Sequence, residues 1–234
     1  MLKNILIAGC ECGYEYEYRE IKYRDPHPHP QDLNHLTIID FSVNALQSPP
    51  QNFEILGGYL CPLSSSWLRK KLAGKHLPDG HREALLLLAT EGTRWMVNRS
   101  YCSPDKLSQA ILQECNDRFG EGFNISIIHI CGIDAIENNT RILSTQYLLA
   151  VVDRPGYDSE TLWKEILENA TPDNRERLIW IAPWIGEMKS STQLRKLLTN
   201  VTSDHVTLRQ DLQDLVLASC IDYILEYNIE QWFQ

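Results

Sequence analysis

The sequence predicts an α/β fold, a parallel sheet with helices on both faces. Three observations carry this. Apolar runs rich in Ile, Val and Leu recur along the chain and alternate with longer stretches of helical periodicity. Those runs are continuous rather than alternating with polar residues, as strands buried on both faces require. Strand followed by helix, over and over, favours crossover connections and hence parallel pairing.

The elements follow in order. A first strand is expected at 4–8, Asn4-Ile5-Leu6-Ile7-Ala8, and a helix at 33–46. Strand 53–60 leads to a helix at 81–90, and strand 94–98 to a helix at 104–119. Ser103 supplies an N-cap for that helix and Pro104 fills its first position, where a missing N–H costs nothing. Strands 125–131 and 147–153, helix 159–169 and strand 178–181 come next, then helices 191–199 and 208–227. No repeat, low-complexity tract or linker divides the chain, so one domain spanning 1–234 is expected. One stretch breaks the alternation. Tyr14-Glu15-Tyr16-Glu17-Tyr18, within an insertion at about 11–25, alternates aromatic and charged residues with period two. An exposed hairpin or edge strand is the plainer reading, and an aromatic platform for bases or a partner the sharper one.

Composition narrows the function. The 234 residues include 22 basic and 31 acidic side chains, a formal charge of −9, which opposes long polyanions. No nucleic-acid polymer is expected as a partner, but a single phosphorylated molecule in a local basic pocket is compatible. No apolar run approaches the ~20 residues that cross a bilayer, so no membrane partner is expected. The start lacks the long apolar region and small-residue cleavage site of an export signal. Seven cysteines, at 10, 12, 61, 102, 115, 131 and 220, are an odd and scattered set. Together these read as reduced thiols in an intracellular protein, cytoplasmic or nuclear. Self-association into a homo-oligomer stays open.

Ligands of parallel sheets sit beyond the carboxyl ends of the strands. Two segments stand out there. Lys189-Ser190-Ser191-Thr192 opens the helix after strand 178–181, with Arg195 one turn further on. Free N–H groups, hydroxyls and a fork-shaped cation suit an anion, although an N-cap with a solvated Arg explains the same letters. The Ser-rich, basic stretch from Cys61 to Lys71, read as a loop, follows strand 53–60 and carries Arg69, Lys70 and Lys71. It suits phosphate as well, or simply solvent.

Taken in order, these segments resemble the eukaryotic type of nicotinamide/nicotinate mononucleotide adenylyltransferase. The resemblance runs through Leu60-Cys61-Pro62, Arg69-Lys70-Lys71 and Pro78-Asp79-Gly80-His81-Arg82, then Arg94-Trp95-Met96-Val97 with Ser100-Tyr101. It continues in Gly132-Ile133-Asp134, Arg154-Pro155-Gly156 and Ser190-Ser191-Thr192-Gln193-Leu194-Arg195. Order and spacing, not any one element, make it specific. The resemblance implies a Rossmann-like nucleotidyltransferase fold and adenylyl transfer from ATP, with Mg²⁺, to a pyridine mononucleotide. It implies His35 and Arg195 as catalytic phosphate contacts, with Ser191, Thr192, Lys70 and Lys71 also on phosphates. Gly132 and Asp134 would contact a nucleoside, and Tyr101 would stack on the acceptor ring.

Two stretches depart from that family. Its Gly-x-Phe-x-Pro motif is represented by Pro26-His27-Pro28-His29-Pro30, where Pro26 and Pro28 offer no N–H to a phosphate. Asp32 stands where a His or Thr is usual, and 135–145 has no aromatic residue where the family has Trp. A nucleotide-binding relative with altered activity, such as ATP hydrolysis, and a non-catalytic interaction module are therefore the alternatives. Cys10, Cys12, His27, His29 and His35 are numerous enough for a zinc ion, but their spacing matches no strong motif and none is assigned as a ligand. No nucleophile elbow is present.

Overall fold

The computed structural model describes residues 4–8, 38–62, 65–71, 76–120, 125–138, 140–153, 157–181, 191–199, 205–213 and 215–233. Along the chain come β1 (Asn4–Ala8), α1 (Ile38–Gln47), β2 (Glu54–Leu60), α2 (Ser65–Lys71), α3 (Asp79–Thr90) and β3 (Trp95–Val97). Next are α4 (Pro104–Phe119), β4 (Ile125–Gly132), α5 (Ile133–Asn138), β5 (Leu148–Val152), α6 (Ser159–Asn169) and α7 (Pro172–Arg175). The chain continues through β6 (Leu178–Ile181), α8 (Ser191–Thr199), α9 (His205–Gln213) and α10 (Ala218–Glu226). These elements fall into two compact units, one holding Ile38–Cys61 and the described residues of 1–13 and 94–185, the other the rest.

The first unit is the sheet. Among the described residues six strands pair in the order β3-β2-β1-β4-β5-β6, every neighbour parallel. This is the Rossmann-like order, and helices flank both faces. β4 shows why its sequence reads as an unbroken apolar run. Ile127, Ile128, His129, Ile130 and Cys131 are all buried, and since successive side chains point to opposite faces, both must be covered. Each such Ile contributes about 1.5–3 kcal/mol relative to exposure. On one face Ile111 and Leu112 of α4 pack against Ile127 and Tyr147. Ser103 caps α4 by accepting from the Lys106 N–H, and Gly120, at φ +76°, ends it in a conformation that favours glycine. In β2 a Cβ on Gly57 would meet the Arg94 carbonyl at 3.0 Å, a tight contact that a larger residue would relieve only by moving β2 a few tenths of an ångström from the approach to β3.

The second unit is helical. α10 packs against both α3 and α9, burying Leu85, Leu208, Leu212, Ile221 and Ile224. The Cys220 thiol sits in that core and donates to the Leu85 carbonyl at 3.6 Å; burial pushes it up to about 12. The described cysteines Cys61, Cys102, Cys115, Cys131 and Cys220 are all free thiols. No helix among the described residues is long and apolar enough to cross a membrane.

Several expected bounds shift. The helix expected over 208–227 is two helices, α9 and α10. Between them Leu215 and Val216 both donate to the Leu212 carbonyl, and Leu217 is extended at φ −62°, ψ 149°. Across 215–217 the break is apolar, with Val216 buried and Leu215 and Leu217 half-buried, and neither Gly nor Pro marks it. The stretch of 61–71 read as a loop is helical from Ser65. The polar segment after Gly132 also begins as a helix, α5. Strand 94–98 is shorter, Trp95–Val97, and Asn98 just beyond it turns its side chain to the following loop.

Candidate functional site

The sheet grows outward in both directions from the adjacent strands β1 and β4. At such a reversal the loops leaving the carboxyl ends part and leave room for a ligand. On the β1 side the chain after Ala8 lies outside the described residues. With it lie His35, the 11–25 insertion and the Cys10, Cys12, His27 and His29 group. On the β4 side the strand ends at Gly132 and α5 begins at once, placing Asp134 in the helix's first turn. Asp134 is only 1% exposed. A carboxylate is favoured by the free N–H groups of a helix start, and one so deep requires polar neighbours. Gly132 and Asp134, expected at a nucleoside, thus sit together at the switch point of the sheet.

A second arrangement closes the carboxyl ends of β2 and β3. The Asn98 N–H donates to the Leu60 carbonyl at 2.8 Å, continuing the ladder one residue past β3. Its side-chain amide donates to the Cys102 carbonyl at 3.1 Å and lies 3.7 Å from the Cys61 sulfur. Its side-chain oxygen accepts from the Ser100 hydroxyl at 2.6 Å and the Ser100 N–H at 3.2 Å. Between those two anchored residues Tyr101 takes φ +53°, a left-handed conformation that costs a residue with a Cβ about 1–2 kcal/mol. The sequence assigns Asn98 no role at a site. The available signal is the polar residue that ends an apolar strand at its carboxyl edge.

In the helical unit, Ser191 and Thr192 occupy the first turn of α8 and Arg195 lies one turn on, half-buried beside the buried Leu194 and Leu198. Lys70 and Lys71 end α2. The start of that helix is tied down by the motif residues of 78–82. Ser65 donates from Oγ to Asp79 Oδ1 at 2.5 Å. The buried Arg82 guanidinium bonds the same Asp79 oxygen, reaches Ser65 Oγ at 3.4 Å and donates to the Leu77 carbonyl at 3.2 Å. Neighbouring His81 shares a hydrogen bond of 2.9 Å between Nδ1 and the Tyr223 hydroxyl of α10. The rings of Tyr223, Tyr227 and Trp232 surround it at about 6 Å. Within Pro-x-x-His-Arg, His81 and Arg82 therefore join helices to one another.

One constellation resembles a hydrolytic triad. His129 Nε2 lies 2.9 Å from Ser108 Oγ, and Nδ1 lies 3.9 Å from Asp105 Oδ1. Ser108 of α4 is completely buried against His129 in the middle of β4, away from the strand's carboxyl edge, so no substrate meets its hydroxyl. Burial lowers the His129 pKa, and the nearby Asp105 carboxylate opposes this only in part. These groups pack α4 onto β4. Among the described residues no cluster of three His, Cys, Asp or Glu side chains is arranged to hold a metal ion.

No protein-family model matches the chain. It is similar to the nicotinamide/nicotinic acid mononucleotide adenylyltransferase of Oryza sativa subsp. japonica, 22% identical over 220 residues, 86% of this chain and 81% of that protein. It is also similar to nicotinamide/nicotinic acid mononucleotide adenylyltransferases 1 and 2 of Saccharomyces cerevisiae. Each is 24% identical over 220 residues and 83% of this chain, which spans 51% and 52% of their respective lengths.

Proposed function

We propose that this chain transfers the adenylyl group of ATP to a pyridine mononucleotide, forming the dinucleotide NAD or its deamido form. A phosphate oxygen of the mononucleotide attacks the α-phosphorus, the bond to the β-phosphate oxygen breaks, and pyrophosphate leaves with the electron pair. What carries the reading is similarity to three proteins named for that reaction across most of the chain. No covalent intermediate is required, so the protein's task is to position the phosphates and neutralise their charge. In this reading Ser191, Thr192 and Arg195 hold ATP phosphates, the Arg as a planar fork that a Lys cannot imitate. Lys70 and Lys71 add positive charge, and His35 donates to a phosphate. Gly132 and Asp134 contact the nucleoside, and Tyr101 stacks on the acceptor ring. Mg²⁺ would accompany ATP, held mainly by its phosphates and water, and would offset phosphate charge beside the basic residues named here.

The test is direct. Incubation with ATP, Mg²⁺ and either mononucleotide should yield dinucleotide and pyrophosphate in equal amounts. ATP binding without either product would overturn the transfer reading. Pro26 and Pro28, which remove donors from the stretch nearest the family's phosphate motif, favour a second reading of nucleotide binding with altered activity. Release of ADP and inorganic phosphate from ATP alone would support it.

A further inference from the structure

The strain at Tyr101 and the burial of Asn98 are parts of one device. A residue with a Cβ persists at φ +53° only where its surroundings over-determine it, and such residues gather at functional sites. Here the surroundings are identifiable. Asn98 is 4% exposed and uses both ends of its side chain on the two residues flanking Tyr101. Its oxygen holds Ser100 at 2.6 Å and its nitrogen holds the Cys102 carbonyl at 3.1 Å. The same Ser100 hydroxyl, its one proton given to Asn98, lies 3.1 Å from the Cys102 sulfur, closing a ring of contacts around the strained residue. The grip is anchored to the sheet because the Asn98 N–H is bonded to Leu60 of β2. A turn with no task would relieve the strain with glycine. This one retains an aromatic residue beyond the carboxyl end of β3, on the side of the sheet where ligands of this fold bind.

We propose that Asn98 is a positioning residue for the acceptor: it fixes the backbone that carries Tyr101 and so sets the affinity for the mononucleotide through that ring. The proposal rests on the adenylyl-transfer reading and on Tyr101 as the stacking residue. Planar bases stack well on aromatic side chains, and the gain depends on the ring being held in place before the ligand arrives.

The experiment measures kcat and the KM of each substrate for wild type, Asn98→Ala, Tyr101→Ala and the double variant. Asn98→Ala should raise the acceptor KM about tenfold. The ATP KM and kcat should stay within about twofold, because uniform acceptor binding alone is lost. In the Tyr101→Ala background the same substitution should add less than about twofold, since the two act as one unit. Equal changes in both KM values, or effects that multiply in the double variant, would overturn the proposal. So would an unchanged acceptor KM in Asn98→Ala where Tyr101→Ala raises it. If Asn98→Ala fails to fold, Ser100→Ala removes the 2.6 Å bond from an exposed position and should raise the acceptor KM about threefold with the ATP KM unchanged. An unmoved acceptor KM in that variant counts against the proposal equally. Two results separate the layers beneath it. No dinucleotide from wild type removes the transfer reading and the proposal with it. Turnover with an acceptor KM insensitive to Tyr101→Ala removes the role of that ring alone, and again the proposal.

Discussion

His129 shows what a single residue contributes in the middle of this sheet. Its imidazole is enclosed by Ser108 and Asp105 of α4 and by the Tyr147 ring, whose centroid lies 5.0 Å away. The Asp105 carboxylate is 64% exposed and 3.9 Å distant, so water weakens its pull and burial decides the direction of the pKa, downward from 6.5. The sign of the pH effect follows. Above 6.5 the imidazole is neutral in both states and its packing is fully present. As pH falls below that, the unfolded chain takes up a proton that the folded chain does not, and stability declines until the folded histidine also titrates. The decline should be no steeper than about 1.4 kcal/mol per pH unit for this group. Urea midpoints between pH 7.5 and 5 should show it, and His129→Gln should flatten it; identical profiles for both proteins would refute this assignment. Nothing in the sequence joins residues 105, 108 and 129. The packing role of this histidine depends on α4 crossing β4, which no local pattern states.

At the scale of elements, continuous apolar runs made β4 and β5 legible, and capping by Ser103 and Pro104 made the start of α4 legible to the residue. Where termination is not written in Gly or Pro, periodicity overruns, as it does at Leu215–Leu217 between α9 and α10. α2 is the converse. Seven residues rich in Ser and Lys carry little helical pattern, and the helix is held by tertiary bonds from Asp79 and Arg82. Those bonds yield a prediction. Arg82 has a side chain 5% exposed, while Asp79 is 45% exposed and half-solvated, so the ion pair itself is discounted and the buried guanidinium's several acceptors matter more. Arg82→Ala should cost about 2–3 kcal/mol, through the lost stem packing and the acceptors left behind. Arg82→Lys should recover less than half, since an ammonium cannot span Leu77, Asp79 and Ser65 together. Chemical denaturation with an unchanged m-value would measure both. A loss below about 0.5 kcal/mol for Arg82→Ala would show that the network is incidental.

For the whole molecule, alternation of strand and helix in the sequence implied parallel pairing but left strand order open. Order depends on which face each crossover takes, and the path from Ala8 to Ile38 is long enough to hide it. With β1 central, Gly132 and Asp134 acquire a place that their spacing could only suggest. The net charge of −9 acquires a narrower meaning too. Basic residues collect at Arg69–Lys71 and Lys189–Arg195, so a chain whose net charge opposes polyanions carries local cationic segments, which the proposed function assigns to one nucleotide. That contrast is measurable without any assumption about turnover. A ligand bound only by the folded state stabilises it by about 2.7 kcal/mol at a hundred times its Kd. For a chain of this length that is a rise in Tm of roughly 5–10 °C. Mg²⁺-ATP should produce such a rise in wild type, and duplex DNA at equal phosphate concentration should not. Arg195→Ala should lose most of the ATP-dependent rise while keeping nearly the same Tm without ligand, because Arg195 is only half-buried and Leu194 and Leu198 anchor α8. If Arg195→Ala responds to ATP as wild type does, the phosphates are held elsewhere and α8 is a packing helix whose Ser-Ser-Thr start is only a cap. A comparable rise with DNA would mean that the local basic segments outweigh the acidic field of the whole chain.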